Sequence, residues 1–336
     1  MRAFVPLGLA LIALFPPAAR SQSLILYPTA DTFADQSQPA ANFGTSNELG
    51  FGKNFTYTPT FTVWFMRAYL QFDLLSIQLT GRWPTRVVYR WYQNRASAAG
   101  CLDVSVHRVT APWAETGLTW QNKPANDPAV IATACVGDSS GTGWKEADVT
   151  LLVHAWLMGT SPNFGFVVKD PSESNAGAAR PGFAHSRETG LALTPHLDVQ
   201  FASRFGYGCS LRALLPITDV IAGQPKLGRY FVLGTTGLIS GSAVGVVFGL
   251  SNTTWSGGAL PWSMAPIGFP HCDLLVAPDV AASFGTVAGN GFDVSVPLPL
   301  ANTLNGTPLY MQVLAAPPIP GLGLELSQGI GVVMRS

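Results

Sequence analysis

What most limits the folds open to this chain is its punctuation. Thirty-five glycines and 26 prolines are spread along 336 residues, and they leave apolar stretches of four to nine residues between turn clusters. Strands fit that spacing; most helices, at ten residues or more, do not. Inside the stretches the apolar residues alternate. Ala68, Leu70, Phe72 and Leu74 fall on one side of Arg67–Leu74, with Arg67, Tyr69, Gln71 and Asp73 on the other. Leu102, Val104 and Val106 alternate with Asp103, Ser105 and His107, and Leu197, Val199 and Phe201 form a third row. Leu24–Tyr27, Arg86–Tyr92 and Asn163–Lys169 read as further strands. One segment has helical spacing: Val149, Leu152, Val153 and Trp156, with Asp148 placed to cap it and Gly159 to end it. The expected class is all-β, as two β-sandwich domains, the first jelly-roll-like with one short helix.

The domain plan follows from length, cysteines and composition. Residues 1–22 have the form of a signal peptide: Arg2, an uncharged apolar run from Ala3 to Phe15, then Ala19 and Ser21 at the −3 and −1 positions of a cleavage site. The run is too short for a bilayer-spanning helix, so no membrane span is expected after cleavage and the protein is expected to be secreted or at the cell surface. The remaining residues exceed what one core usually serves. A β-sandwich is expected over 24–203 and a second over 207–336. Four cysteines allow three pairings; if the halves are separate domains, Cys101–Cys135 and Cys209–Cys272 is the natural choice. Each bridge would contribute roughly 3–4 kcal/mol in the chain-entropy model. Within the second half, Leu233–Leu250 carries no charge and has Gly241, Gly245 and Gly249 four residues apart. That spacing packs membrane helices, but five glycines and a Gly-Leu-Ile-Ser-Gly turn favour a β-hairpin.

Charged residues make up only 11% of the chain and cancel to zero, so no nucleic-acid partner is expected. Catalytic patterns are scarce. Gly137-Asp138-Ser139-Ser140-Gly141 has the spacing of a hydrolase elbow but no strand leading into it. The five histidines are scattered, without metal-ligand spacing. No catalytic residue is assigned. Asp31 and Asp35, beside a polar run, could hold a structural Ca²⁺ through oxygen ligands, and two solvated turn aspartates are the plainer alternative.

Four segments taken together carry more information. They are Ala30-Asp31-Thr32-Phe33-Ala34-Asp35 with Asn42-Phe43-Gly44-Thr45-Ser46, then Arg67-Ala68-Tyr69-Leu70-Gln71-Phe72-Asp73, then Trp113 to Pro124, then Asn163-Phe164-Gly165-Phe166. In this order, with Ser186-Arg187-Glu188 before the last strand, they resemble the DNRLRE-type domain, carbohydrate-binding module family 96, over roughly Leu24 to Phe201. The resemblance implies a jelly-roll-like sandwich that binds polysaccharide or a cell-surface glycan without cleaving it. The second half, with Tyr207-Gly208-Cys209 and Leu260-Pro261 ahead of Gly268 and Cys272, resembles a C-terminal module of exported bacterial proteins.

A sugar surface needs exposed aromatics and a few polar groups. Trp64, Trp83, Trp91 and Trp144 lie beside turns or charges and are the candidates for exposure; Trp113, Trp120 and Trp156 read as core. Trp64, Lys53, Arg67, Arg86 and Arg90 are the residues to examine first for binding, with Arg82 beside them should the polysaccharide be acidic. A solvated strand face would account for the same charges. The leading expectation is a secreted, non-catalytic polysaccharide-binding protein. Behind it stand a structural envelope or extracellular-matrix module without glycan binding, and a polysaccharide-acting hydrolase or lyase.

Overall fold

A computed structural model describes residues 23–56, 62–96, 102–136, 142–173, 180–212 and 214–336. The signal-like segment, Cys101 and the Gly137–Gly141 motif lie outside the described residues. The fold is all-β, with every named sheet pairing antiparallel.

Eleven strands form the first sheet: β1 (Ser23–Leu26), β2 (Ala30–Asp35), β3 (Glu48–Thr56), β4 (Thr62–Gln71), β5 (Pro84–Ala96), β6 (Leu102–Arg108), β7 (Ala132–Val136), β8 (Gly143–Asp148), β9 (Phe166–Lys169), β10 (Arg180–His185) and β11 (His196–Phe201). Their order is β1-β11-β5-β10-β3-β4-β9-β6-β7, with β2 added to β4 and β8 to β5. The sheet coils into a sandwich, so residues far apart in that order share one core: Tyr89 and Trp91 of β5 pack with Phe166 of β9 and Val104 and Val106 of β6. Two helices accompany it where one was expected. Helix α1 (Leu75–Leu79) is a single turn that buries Ile77. Helix α2 (Thr150–Leu157) is the anticipated one, and Asp148 accepts the Thr150 backbone N–H at 3.0 Å. Gly159 then takes a left-handed φ of 69° beyond its end.

Strand β4 departs from its simple alternation. Ala68 and Leu70 face the core as expected, yet Tyr69, on the other face, is also fully buried. The cover is residues 109–126, the first part of the connection between β6 and β7. Val109 and Leu118, with Trp113 and Trp120 partly buried beside them, pack on Tyr69, Ala34 and Val167 as a second small core. Trp113 meets Tyr69 edge-on and donates its indole N–H to the Phe164 carbonyl at 2.9 Å. A side chain from outside holds the strap in place: Asn42 Nδ2 donates to the carbonyls of both Glu115 and Leu118 at 2.7 Å.

The second group of strands begins at once after β11. Strand β12 (Ser203–Phe205) pairs with Gly329–Val333, and that sheet continues through Pro308–Ala316 to β15 (Ala243–Gly249) and Val280–Thr286. A three-stranded sheet, β13 (Ile217–Gly223), β14 (Tyr230–Thr236) and Gly291–Pro297, closes over it around Phe231, Leu233, Val246 and Met311. The hairpin expected over Leu233–Leu250 is not formed: β14 lies in the smaller sheet and β15 in the larger. Each strand has apolar residues to bury, and an arch across the core buries both sets where a hairpin would leave one side bare. Among the described residues no helix is long and apolar enough to cross a membrane. Cys209 and Cys272 form a disulfide, and Cys135 is disulfide-bonded as well.

The two groups meet at the start of β5. Arg82 Nε lies 2.9 Å from Asp219 Oδ2 of β13, Arg204 also bonds Asp219, and Arg82 donates to the Ala202 carbonyl. Trp83 donates its indole N–H to Gly223 O at 3.2 Å and lies tilted over His154 of α2.

Candidate functional site

Strand β5 is bonded on both edges at the same residues. Val88, Arg90 and Tyr92 pair with Asp148, Glu146 and Trp144 of β8, while Arg86, Val88 and Arg90 pair with Gln200, Asp198 and His196 of β11. Partners directly opposite in an antiparallel ladder point to the same side. Tyr89 and Trp91 point into the core, so Arg86, Arg90 and Tyr92, with these neighbours, form the opposite face. Among the described residues nothing corresponding to the strap covers it. Trp144 is 45% exposed and Tyr27, past the end of β1, 42%.

The aromatics on this face are continuous. Tyr92 meets Trp144 edge-on at 5.6 Å and lies over His185 at 5.7 Å; His196 meets Trp144 at 5.1 Å and Tyr27 at 6.1 Å. Charges run alongside. Arg90 Nη2 stands 3.3 Å from Glu146 and 3.6 Å from Asp198, and Arg86 stands 3.7 Å from both Glu146 and Asp148. Half-exposed pairs at these separations are weak, so the guanidinium groups can exchange a protein carboxylate for a ligand oxygen at little cost. Beyond Arg86 a small cleft of about 80 Å³ is lined by Arg86, Asp148 and Gln200 from this face and by Lys226 and Arg335 from the second group of strands.

Of the residues singled out by sequence, Arg86 and Arg90 stand on this face and the other three do not. Lys53 is buried in β3, opposite Phe65 of β4. Trp64 is half-buried against the core. Arg67 belongs to the strapped face: Glu173 grips its Nε and Nη2 at 2.6 and 2.5 Å, and its guanidinium lies 5.3 Å from the Trp120 ring. Arg82 is taken up at the junction with Asp219. Among the four tryptophans picked as candidates for exposure, Trp91 is core and Trp83 is at the junction; Trp144 alone lies open. Tyr27, Tyr92, His185 and His196 had no motif to mark them. Alternation along β5 and β11 was the available signal, placing Tyr92 and His196 opposite the core residues.

The two aspartates proposed for a metal part company. Both are buried, but four residues along an extended strand separate them by about 13 Å. Asp35 accepts the Ser37 backbone N–H and hydroxyl, both at 2.7 Å. Asp31 instead meets Glu115 of the strap and Glu188 of the 3₁₀ turn Arg187–Thr189, each offering an oxygen within 4.8 Å of the others. Arg187 clamps Glu115 with Nε and Nη2 at 2.9 and 2.6 Å and stands 3.2 Å from Glu188. Burial is the main cause that pushes the Asp31 carboxyl up to about 7; the Arg187 backbone N–H pulls it down, and the two glutamates add to the rise.

The first group of strands thus has one strapped face and, among the described residues, one aromatic face without a strap. Residues 22–200 match carbohydrate-binding module family 96, and the chain belongs to that family. No curated protein matches the sequence. Among solved structures, a β-glucuronidase of Parabacteroides merdae aligns at 10% identity over 81% of this chain and 27% of that one. Its TM-score of 0.17 is too low to bear on fold or activity.

Proposed function

We propose that the protein is an exported, non-catalytic polysaccharide-binding protein, and that the β8–β5–β11 face receives the glycan. Family membership supports the ligand class. The observation that carries the choice of face is Trp144, a large aromatic left open on a sheet and braced edge-on by Tyr92. Sugar rings stack their C–H faces on such rings, and neighbouring charges orient the hydroxyl or carboxylate groups. Arg86 and Arg90 are placed for that second task. The signal-like segment from Arg2 to Ser21 and the Cys209–Cys272 bridge support export.

Retention of the full chain on a panel of immobilised neutral and acidic polysaccharides tests the reading. At least one polysaccharide should retard the protein, and Trp144→Ala should weaken that retention about tenfold, equivalent to about 1.4 kcal/mol. No retention on any of them would overturn the function; equal retention by the variant would overturn the face.

A further inference from the structure

We propose that Asp31, Glu115 and Glu188 hold a divalent cation, Ca²⁺ by ligand chemistry and spacing, and that this ion fastens the strap to the sandwich. The inference is independent of the glycan face. Three carboxylates from β2, the strap and the Arg187–Thr189 turn converge on one point. Asp31 is only 1% exposed; its Oδ2 accepts the Arg187 backbone N–H at 2.9 Å, while its buried Oδ1 has no hydrogen-bond partner. A carboxylate oxygen buried without a partner loses its hydration for nothing in return. A cation among the three carboxylates would supply what Oδ1 lacks.

Charge and donor chemistry both point to a hard divalent ion. The Arg187 guanidinium is spent on Glu115 and Glu188, and only its backbone N–H reaches Asp31. With all three carboxylates ionised, the one guanidinium leaves two negative charges, which one divalent ion cancels. All three ligands are hard oxygens, the donors of Ca²⁺ and Mg²⁺ and a poor set for softer metals. Two oxygens across one ion stand at most twice the metal–oxygen distance apart, about 4.6–5.2 Å for Ca²⁺ and about 4.2 Å for Mg²⁺. The three oxygens all lie within 4.8 Å of one another, inside the span that Ca²⁺ bridges.

Titration of CaCl₂ into the chelator-treated full chain, followed by calorimetry, should show one ion bound per chain. Thermal unfolding should move to higher temperature in Ca²⁺. Glu188→Gln, a surface change of the same shape, should weaken binding at least tenfold, and Asp35→Asn should bind like the wild type. Absence of both heat and thermal shift would overturn the site, as would undiminished binding by Glu188→Gln or an equal loss in Asp35→Asn. Mg²⁺ binding as tight as Ca²⁺ would overturn the choice of ion. Should Glu188→Gln fail to fold, limited proteolysis of the wild type decides: Ca²⁺ must slow cleavage within 109–126, and unchanged cleavage rejects its role in the strap.

Discussion

The first sandwich has two outward faces, and they are treated in opposite ways. On β4 and β9 the outward Tyr69 and Val167 lie under an 18-residue strap that buries them fully. On β5, β8 and β11 the outward Tyr92 and His196 are half-buried and Trp144 is exposed, and among the described residues no such strap lies over them. An outward aromatic adds to stability only when something shields it, and this fold spends a long connection shielding one set. Leaving the other set bare is therefore informative: aromatics kept in contact with each other and with charges, yet open, have the make-up of a recognition surface.

The contrast can be broken most forcefully at the strap. Leu118→Ala removes a buried leucine from the small core over Tyr69 and should destabilise the first sandwich by about 3 kcal/mol in urea unfolding. Retention of the remaining folded protein on polysaccharide should not change. If stability hardly moves, the strap is not a true cover. Trp144→Ala should behave in the reverse sense, losing glycan while its unfolding free energy shifts by no more than about 0.5 kcal/mol. A large loss of stability there would make Trp144 structural and erase the difference between the faces.

A smaller test lies on the strapped side. Burial is the first cause that lowers the His107 pKa, against the opposing hydrogen bond to the Asp127 carbonyl. An unfolded chain protonates this imidazole near pH 6.5 and the folded chain only at lower pH. Protons therefore favour unfolding, and this group's contribution to stability falls as pH drops below about 6.5. Urea midpoints at pH 7 and pH 5 should differ less in His107→Gln than in the wild type; identical differences would refute the assignment. The smallest effect is expected at Arg90. Arg90→Ala should weaken retention on an acidic polysaccharide about threefold and leave a neutral one unchanged, as a rim charge screened by solvent would. Equal losses on both would show that Arg90 packs and does not read charge.

The same two faces explain what could be read from the sequence. The segments that carry the family resemblance largely build the strap and its seat. Asn42 holds the strap's carbonyls, and a side chain at Gly44 would sit 2.5 Å from Glu115 O. Gly165 approaches Leu70 so closely that a Cβ there would lie 2.0 Å from its carbonyl oxygen, at a φ of 79°. Trp113 spans from Tyr69 to Phe164. These requirements fall on residues grouped in contiguous runs, and so they show as motifs even though their partners lie far along the chain. The bare face has no such signature. Tyr27, Tyr92, Trp144, His185 and His196 come from separate stretches of chain and meet only through ladder register. Selection by residue type therefore reached Arg86 and Arg90 but also Lys53 and Arg67, whose burial and pairing are fixed by distant segments. Asp31 was found and mispaired for the same reason, since Glu115 and Glu188 lie 84 and 157 positions further along the chain.

The junction at Arg82 and Trp83 has a mechanical consequence. Both residues immediately precede β5, the strand that carries Arg86, Arg90 and Tyr92. Tension between a polymer on the proposed face and an anchor on the second sandwich would be shared by β11, which runs straight into β12, and by β5 through the Arg82 and Trp83 contacts. The ladders to β8 and β11 would then be loaded in shear, many bonds at once, where peeling would break them singly. On the proposed binding mode, the strand under the polymer is also pinned through Arg82 and Trp83 to the second group of strands.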